Sequence, residues 1–270
     1  MQLVKDIFFV SADKNALKTL NIGGVDFHID TDFTPFDYST RIGVVTHTPL
    51  IIDSKYSYDN KILDNDVVIF HHFVCQPQNE IKVNDIEYFK ANYFHIFAKV
   101  EDNDIICVED FIFVEPIKKE YSERFIGGIQ FDYDENSVVQ QKGIIRYLSK
   151  KAIAFGLNKG DIVYFTKNAD YKMEVLGNEY YRMRIRNVVC VERDGNLVCM
   201  NDRVLLEELE IEEDFIKTKK RESIGKVIGS NISDINVGDV VGFFSGVMQP
   251  IDYKGKKYLL TKKDNINYIQ

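Results

Sequence analysis

Three short words recur along this chain of 270 residues, three times each and always in one order. The clearest is a turn that leads into a β-branched strand ending on Phe. It reads L-D-N-D-V-V-I-F from Leu63 to Phe70, N-K-G-D-I-V-Y-F from Asn158 to Phe165, and N-V-G-D-V-V-G-F from Asn236 to Phe243. Asn or Gly before Asp favours a tight turn, and Val/Ile-rich runs suit a strand. The second word is a glycine at a strand start: R-I-G-V-V from Arg41, Q-K-G-I-I from Gln141 and S-I-G-K-V from Ser223. Such a glycine suits a bulge or a close backbone approach. The third word opens each copy: K-D-I-F-F-V from Lys5, E-D-F-I-F-V from Glu109 and N-D-R-V-L-L from Asn201. Its Asp residues, Asp6, Asp110 and Asp202, set a period of roughly 100 residues, the size of a domain.

Each copy closes with a polar hairpin and an aromatic-led strand pair, over Tyr93 to Val108, Tyr180 to Val191 and Tyr258 to Ile269. A repeat of this kind decides the organisation of a chain before any single element does. The expected fold class is all-β, as three tandem small antiparallel β-barrels over residues 1–107, 108–199 and 200–270. Runs such as D-V-V-I-F suit strands buried on both faces, and closing a sheet into a barrel removes its edges. The junctions carry no Pro/Gly/Ser linker. In I-I-C-V-E-D-F-I-F-V, Ile105 to Val114, one copy runs almost directly into the next, so the copies are expected to pack side by side.

Composition narrows the function. The net charge of −8 argues against a nucleic-acid partner. No apolar run approaches the ~20 residues that a membrane helix needs, so no membrane partner is expected. The start M-Q-L-V-K-D-I-F-F-V lacks the build of a signal peptide, which points to the cytoplasm. Cys75, Cys107, Cys190 and Cys199 are widely spaced and read as buried thiols of a reducing compartment. There is no G-x-S-x-G elbow, phosphate loop or H-E-x-x-H. No enzymatic activity, catalytic residue or cofactor is expected. All five histidines, His28, His47, His71, His72 and His95, lie in the first copy. Read as a strand, H-H-F-V-C (His71 to Cys75) turns neighbouring residues to opposite faces, and its spacing fits no standard zinc pattern. No metal site is assigned there.

Taken together, the words resemble the GroES-type co-chaperonin family. That pattern has a D-R-V-hydrophobic opening strand, a Gly-Gly-hydrophobic loop, a Gly-led strand, a V-G-D-x-V-x-F strand and a final Y-L…D-I strand pair. The third copy is nearest at its ends, with N-D-R-V-L-L-E-E, I-G-K-V-I-G-S, I-N-V-G-D-V-V-G-F and G-K-K-Y-L-L-T-K-K-D-N-I. The Gly-Gly word stands in the first two copies, as I-G-G-V-D-F-H-I-D (Ile22 to Asp30) and I-G-G-I-Q-F-D-Y-D (Ile126 to Asp134). The third copy has E-D-F-I-K-T-K-K-R-E, Glu213 to Glu222, in that slot. The resemblance implies that these loops dock on a GroEL-type chaperonin and that copies of the chain associate into a homo-oligomer. It assigns partner binding to Gly23, Gly24, Val25 and Phe27, and to Gly127, Gly128, Ile129 and Phe131.

The residues themselves add Ile29. Alternation after the glycines puts Val25, Phe27 and Ile29 on one face and Asp26, His28 and Asp30 on the other. Two readings of the loops stay open from the residues alone: a hairpin covering its own barrel, or a segment that orders on a partner surface. The alternative function is a structural or assembly protein that reuses the barrel, for instance a bacteriophage virion component. There the partner is the particle.

Overall fold

The computed structural model describes residues 3–12, 19–22, 25–28, 41–57, 60–102, 104–118, 125–126, 129–130, 138–209, 222–244, 246 and 248–270. The chain is built from strands. The first copy holds β1 (Leu3–Lys5), β2 (Ile7–Ser11), β3 (Thr19–Ile22), β4 (Val25–His28), β5 (Ile42–His47), β6 (Pro49–Ile51) and β7 (Val67–Phe70). It continues through β8 (Glu80–Val83), β9 (Ile86–Asn92), β10 (Ile96–Glu101) and β11 (Asp104–Cys107). The second holds β12 (Phe111–Lys118), β13 (Phe125–Ile126), β14 (Ile129–Gln130), β15 (Val138–Leu148), the short helix α1 (Lys150–Ala154) and β16 (Ile162–Phe165). It ends with β17 (Tyr171–Val175), β18 (Asn178–Arg184), β19 (Val188–Arg193) and β20 (Asn196–Cys199). The third holds β21 (Arg203–Leu209), β22 (Glu222–Ser230), β23 (Val240–Phe244), β24 (Gln249–Tyr253), β25 (Lys256–Lys262) and β26 (Ile266–Ile269).

Three sheets carry the repeat. Their strand orders are β8-β9-β2-β5-β7-β10-β11, β17-β18-β12-β15-β16-β19-β20 and β24-β25-β21-β22-β23-β26. Counted along the chain within each sheet, the order is fourth, fifth, first, second, third, sixth and seventh, and the last sheet has the first six of these. The strands come from residues 7–107, 111–199 and 203–269.

The repeat extends to single hydrogen bonds. Asn65, Gly160 and Gly238 stand at one position of the turn word, with φ of 75°, 91° and 101°. Their amides donate to Val45, Ile145 and Val227 carbonyls at 2.7, 2.8 and 2.8 Å. The amides of Val45, Ile145 and Val227 in turn donate to the carbonyls of Asp66, Asp161 and Asp239 at 2.9, 2.9 and 2.8 Å. The left-handed backbone explains why the word needs Gly or Asn there. A Cβ costs about 1–2 kcal/mol in that region, so Gly238→Ala is expected to destabilise by that amount. Asn65→Gly should shift stability by less than about 1 kcal/mol. Urea unfolding of the two variants checks both values.

A 3-10 turn joins the fifth and sixth strands in every copy, at Tyr93–His95, Ile185–Asn187 and Lys263–Asn265. A bulge follows it each time, where β10, β19 and β26 pair with β7, β16 and β23. These turns correct one reading of the sequence. The counterpart of Tyr180 and Tyr258 in the first copy is Tyr88, the third residue of its strand as they are of theirs. Tyr93 instead opens the 3-10 turn, where the later copies have Ile185 and Lys263. Two aromatic residues within one apolar stretch made the two positions look alike.

Packing divides the chain into two compact units. The first is Met1–Val114, Arg146–Lys159 and Tyr171–Met183. Its core joins Phe8, Val10, Val45, Ile69 and Phe97 to Phe111, Phe113, Met173 and Tyr180. The second unit is Glu115–Ile145, Gly160–Asp170 and Arg184–Gln270. It has two buried clusters, one around Tyr164, Val189, Leu205 and Leu260, the other around Val204, Leu206, Val227 and Phe243. Val204, Leu205 and Leu206 are consecutive and all buried, so β21 feeds a cluster from each of its faces. The turn-word strands likewise keep Val68 to Phe70, Val163 to Phe165 and Val241 to Phe243 buried. Among the described residues no helix is long and apolar enough to cross a membrane.

Candidate functional site

Two strand pairs flank the glycines of the two Gly-Gly words. β3 pairs antiparallel with β4, with Thr19 opposite His28, Leu20 opposite Phe27, Asn21 opposite Asp26 and Ile22 opposite Val25. β13 pairs with β14, with Phe125 opposite Gln130 and Ile126 opposite Ile129. In both, the two residues between the innermost partners are the glycines. Hairpin connections of that length favour glycine for its freedom at positive φ. Gly23, Gly24, Ile29, Gly127, Gly128 and Phe131 lie outside the described residues. Val25 and Phe27 fall in β4, and Ile129 falls in β14.

Register decides which positions share a face. Opposed residues share one, and so do residues two apart along a strand. In the first hairpin, positions 20, 22, 25 and 27 therefore lie on one face and are all apolar: Leu, Ile, Val and Phe. The other face carries Thr19, Asn21, Asp26 and His28. In the second hairpin, Ile126 and Ile129 share a face. Leu20, Ile22 and Ile126 are contributions that motif matching missed. Reading the T-L-N-I alternation backwards from the glycines would have found the first two.

Among the described residues, neither hairpin is hydrogen-bonded to a strand of the three larger sheets. A two-stranded ribbon is marginal in water on its own. One with a wholly apolar face gains stability when that face is covered.

The histidine-rich stretch behaves otherwise. His71 to Cys75 is not a strand but a turn, in which the Val74 amide donates to the His71 carbonyl at 2.9 Å. Neighbouring rings therefore pack together instead of facing apart. The His71 and His72 ring centres are 4.2 Å apart, and His95 lies 5.6 Å from His71. His72 Nδ1 is hydrogen-bonded to the Tyr171 hydroxyl at 2.5 Å. The Arg182 guanidinium lies 4.4 Å from the centres of both the Phe97 and Tyr171 rings, and Arg41 lies 5.1 Å from Tyr171. All of these residues belong to the first unit.

Burial is the main cause that lowers His71 to about 3 and His72 to about 4. His71 is lowered further by His72, and both by Arg182, Arg41 and His95. Burial also lowers His95. At neutral pH His71 and His72 are uncharged rings, packed beside the Tyr171 ring over which both guanidinium groups lie. No group of three or more His, Cys, Asp or Glu among the described residues could hold a metal ion.

The sequence matches no model of a known protein family and no curated protein. The reading of its function therefore rests on the site itself.

Proposed function

We propose that the chain is a non-enzymatic co-chaperonin of the GroES type, built as three tandem barrels. Its two Gly-Gly hairpins seat their apolar faces in a hydrophobic groove on a GroEL-type chaperonin ring and help to enclose a client. The observation that carries this reading is the first hairpin. Its register gathers Leu20, Ile22, Val25 and Phe27 on one face, and among the described residues it pairs with no larger sheet. A ribbon of that kind binds weakly alone, because ordering it opposes binding. Several copies on one assembly raise the effective concentration and offset that.

Self-association of the chain would supply such an assembly. In the first two copies the sixth strand pairs with the seventh: β10 with β11, β19 with β20. The seventh strand then leads into the opening strand of the next copy. Among the described residues no strand covers the outer edge of β26. β1 stands before β2 as β11 stands before β12. A second copy's β1 against β26 would repeat the internal arrangement between chains and give a homo-oligomer.

The test is co-elution of the full chain with a bacterial chaperonin ring, with and without nucleotide. Wild type is expected to co-elute reversibly and only with nucleotide. Burying a Val or Ile side chain contributes about 1.5–3 kcal/mol, so Val25→Asp with Ile129→Asp should weaken binding by roughly tenfold or more. Far-UV circular dichroism shows whether the variant is folded. Absence of wild-type binding, or unchanged binding by the folded variant, rules the reading out. Stable, nucleotide-independent incorporation into a larger particle would instead favour the structural or virion role.

A further inference from the structure

A pair of thiols in the second unit is arranged for chemistry that the docking function does not use. β19 and β20 form a hairpin in which Arg193 opposes Asn196 across Asp194 and Gly195, with φ of 49° and 72°. The register continues through Glu192 with Leu197 and Val191 with Val198 to Cys190 with Cys199. Beyond them the Met200 amide donates to the Val189 carbonyl at 2.9 Å. Hydrogen-bonded and non-hydrogen-bonded pairs alternate along an antiparallel ladder. Counting from either end, Cys190 and Cys199 are a non-hydrogen-bonded pair, the kind whose side chains approach most closely.

Their sulfurs are 4.0 Å apart. The Cα separation of such pairs, about 4.5 Å, lies inside the range that a disulfide spans. Bond formation needs the sulfurs to close on one another, with no shift of register. The fold itself does not require this pair. In the first copy the corresponding opposed residues are Ala98 and Cys107.

We infer that Cys190 and Cys199 form a cross-strand dithiol that small neutral peroxides convert to a disulfide. The two thiols are 0% and 3% exposed, so the reagent must be small and must enter as the hairpin opens. One thiol takes an oxygen from hydrogen peroxide, giving a sulfenic acid and one water. The second sulfur attacks the first, forming the S–S bond and releasing a second water. The two electrons lost by the sulfurs reduce the peroxide O–O bond, and both thiol hydrogens leave in water. The hydrogen bond with Cys199, and then burial, push the Cys190 thiol up, which keeps it protonated while the hairpin is closed. Arg203 acts on Cys190 in the opposite sense and favours the anion that attack requires.

The experiment treats the full folded chain with a hydrogen peroxide series. Free thiols are then alkylated in denaturant, and the peptides are identified by mass spectrometry. A Cys190–Cys199 linked peptide is expected, removed by dithiothreitol and absent from Cys190→Ala, which carries the residue of the first copy. Linkage should also raise the thermal midpoint of the peroxide-treated chain, and dithiothreitol should return it. If both cysteines remain alkylatable at a dose that oxidises the half-buried Cys75, the inference fails. It fails equally if Cys199 is found joined to Cys75 or Cys107. Wild type alone decides the matter, so a folding defect in Cys190→Ala would not obscure it.

Discussion

Between pH 6.5 and about 4 the first unit is expected to lose stability through a group of residues that the second unit lacks. All five histidines fall within residues 1–114, and none lies in the second unit. In the unfolded chain His71 and His72 titrate near 6.5, whereas in the fold His71 is lowered to about 3 and His72 to about 4. The sign follows from proton counting. Above pH 6.5 both states are neutral at these rings, and the shift has no effect. Below it the unfolded chain binds protons that the folded chain refuses, so acid favours unfolding until the folded values are passed. Each ring contributes at most ~1.4 kcal/mol per pH unit, and less where solvent reaches it. His71 and His72 together can remove about 2–3 kcal/mol, a large part of an ordinary domain's ~5–15 kcal/mol, and His95 acts in the same direction.

The groups that face His71 all oppose its charge: His72, His95, Arg41 and Arg182. Hydrogen exchange followed by mass spectrometry, corrected for intrinsic rates, should show peptides from 60–102 and 171–183 losing protection on acidification before those from 222–244. His71→Phe keeps a ring in the stack and should reduce the slope. Equal acid sensitivity in both units, or an unchanged slope in the variant, would refute the account.

The parts of this fold that could be read in the sequence are those whose cause is local. A left-handed turn needs Gly or Asn, so Asn65, Gly160 and Gly238 mark one position by their identity. Strands buried on both faces need unbroken apolar runs, so Val68 to Phe70 and its counterparts were visible as well. Strand order was not, because it is set by pairings between residues far apart in the chain. The His71 to Cys75 turn was misread for the same reason. It contains no Gly, Pro or Asn, and one contact that holds it, His72 with Tyr171, spans 99 residues. The first Gly-Gly hairpin is intermediate. Val25 and Phe27 announced themselves after the glycines. The register that adds Leu20 and Ile22 needed the pairing to be known.

A methyl group at Gly43 is expected to be the most damaging single substitution among the strand glycines. The backbone of β2 approaches the Gly-led strand β5 closely at this point. A Cβ at Gly43 would lie 2.6 Å from Val10 Cγ1, 2.7 Å from the Ser11 carbonyl oxygen and 3.0 Å from Ala12 Cβ. Val10 is fully buried, and Ser11 pairs with Val44 in the ladder between β2 and β5, so neither can retreat cheaply. Overpacking of this kind typically costs about 1–3 kcal/mol, and strain against backbone places Gly43→Ala at or above the top of that range.

Two other strand glycines have less rigid surroundings. Gly225 holds the same position in the third copy, but its nearest neighbours would be Phe243 Cε1 at 3.0 Å and the Glu207 carbonyl at 3.2 Å. Gly225→Ala should therefore fall near the lower end, about 1 kcal/mol. The three atoms nearest a Cβ at Gly242 all belong to the Tyr268 ring, the far end of a side chain that is 44% exposed. That ring can swing into solvent, so Gly242→Ala should cost less than its short contacts suggest, again about 1 kcal/mol or below. Denaturant unfolding of the three variants should rank Gly43 well above Gly225 and Gly242. If Gly242→Ala proved the worst, proximity alone would govern the outcome, and the argument from immovable backbone would be wrong.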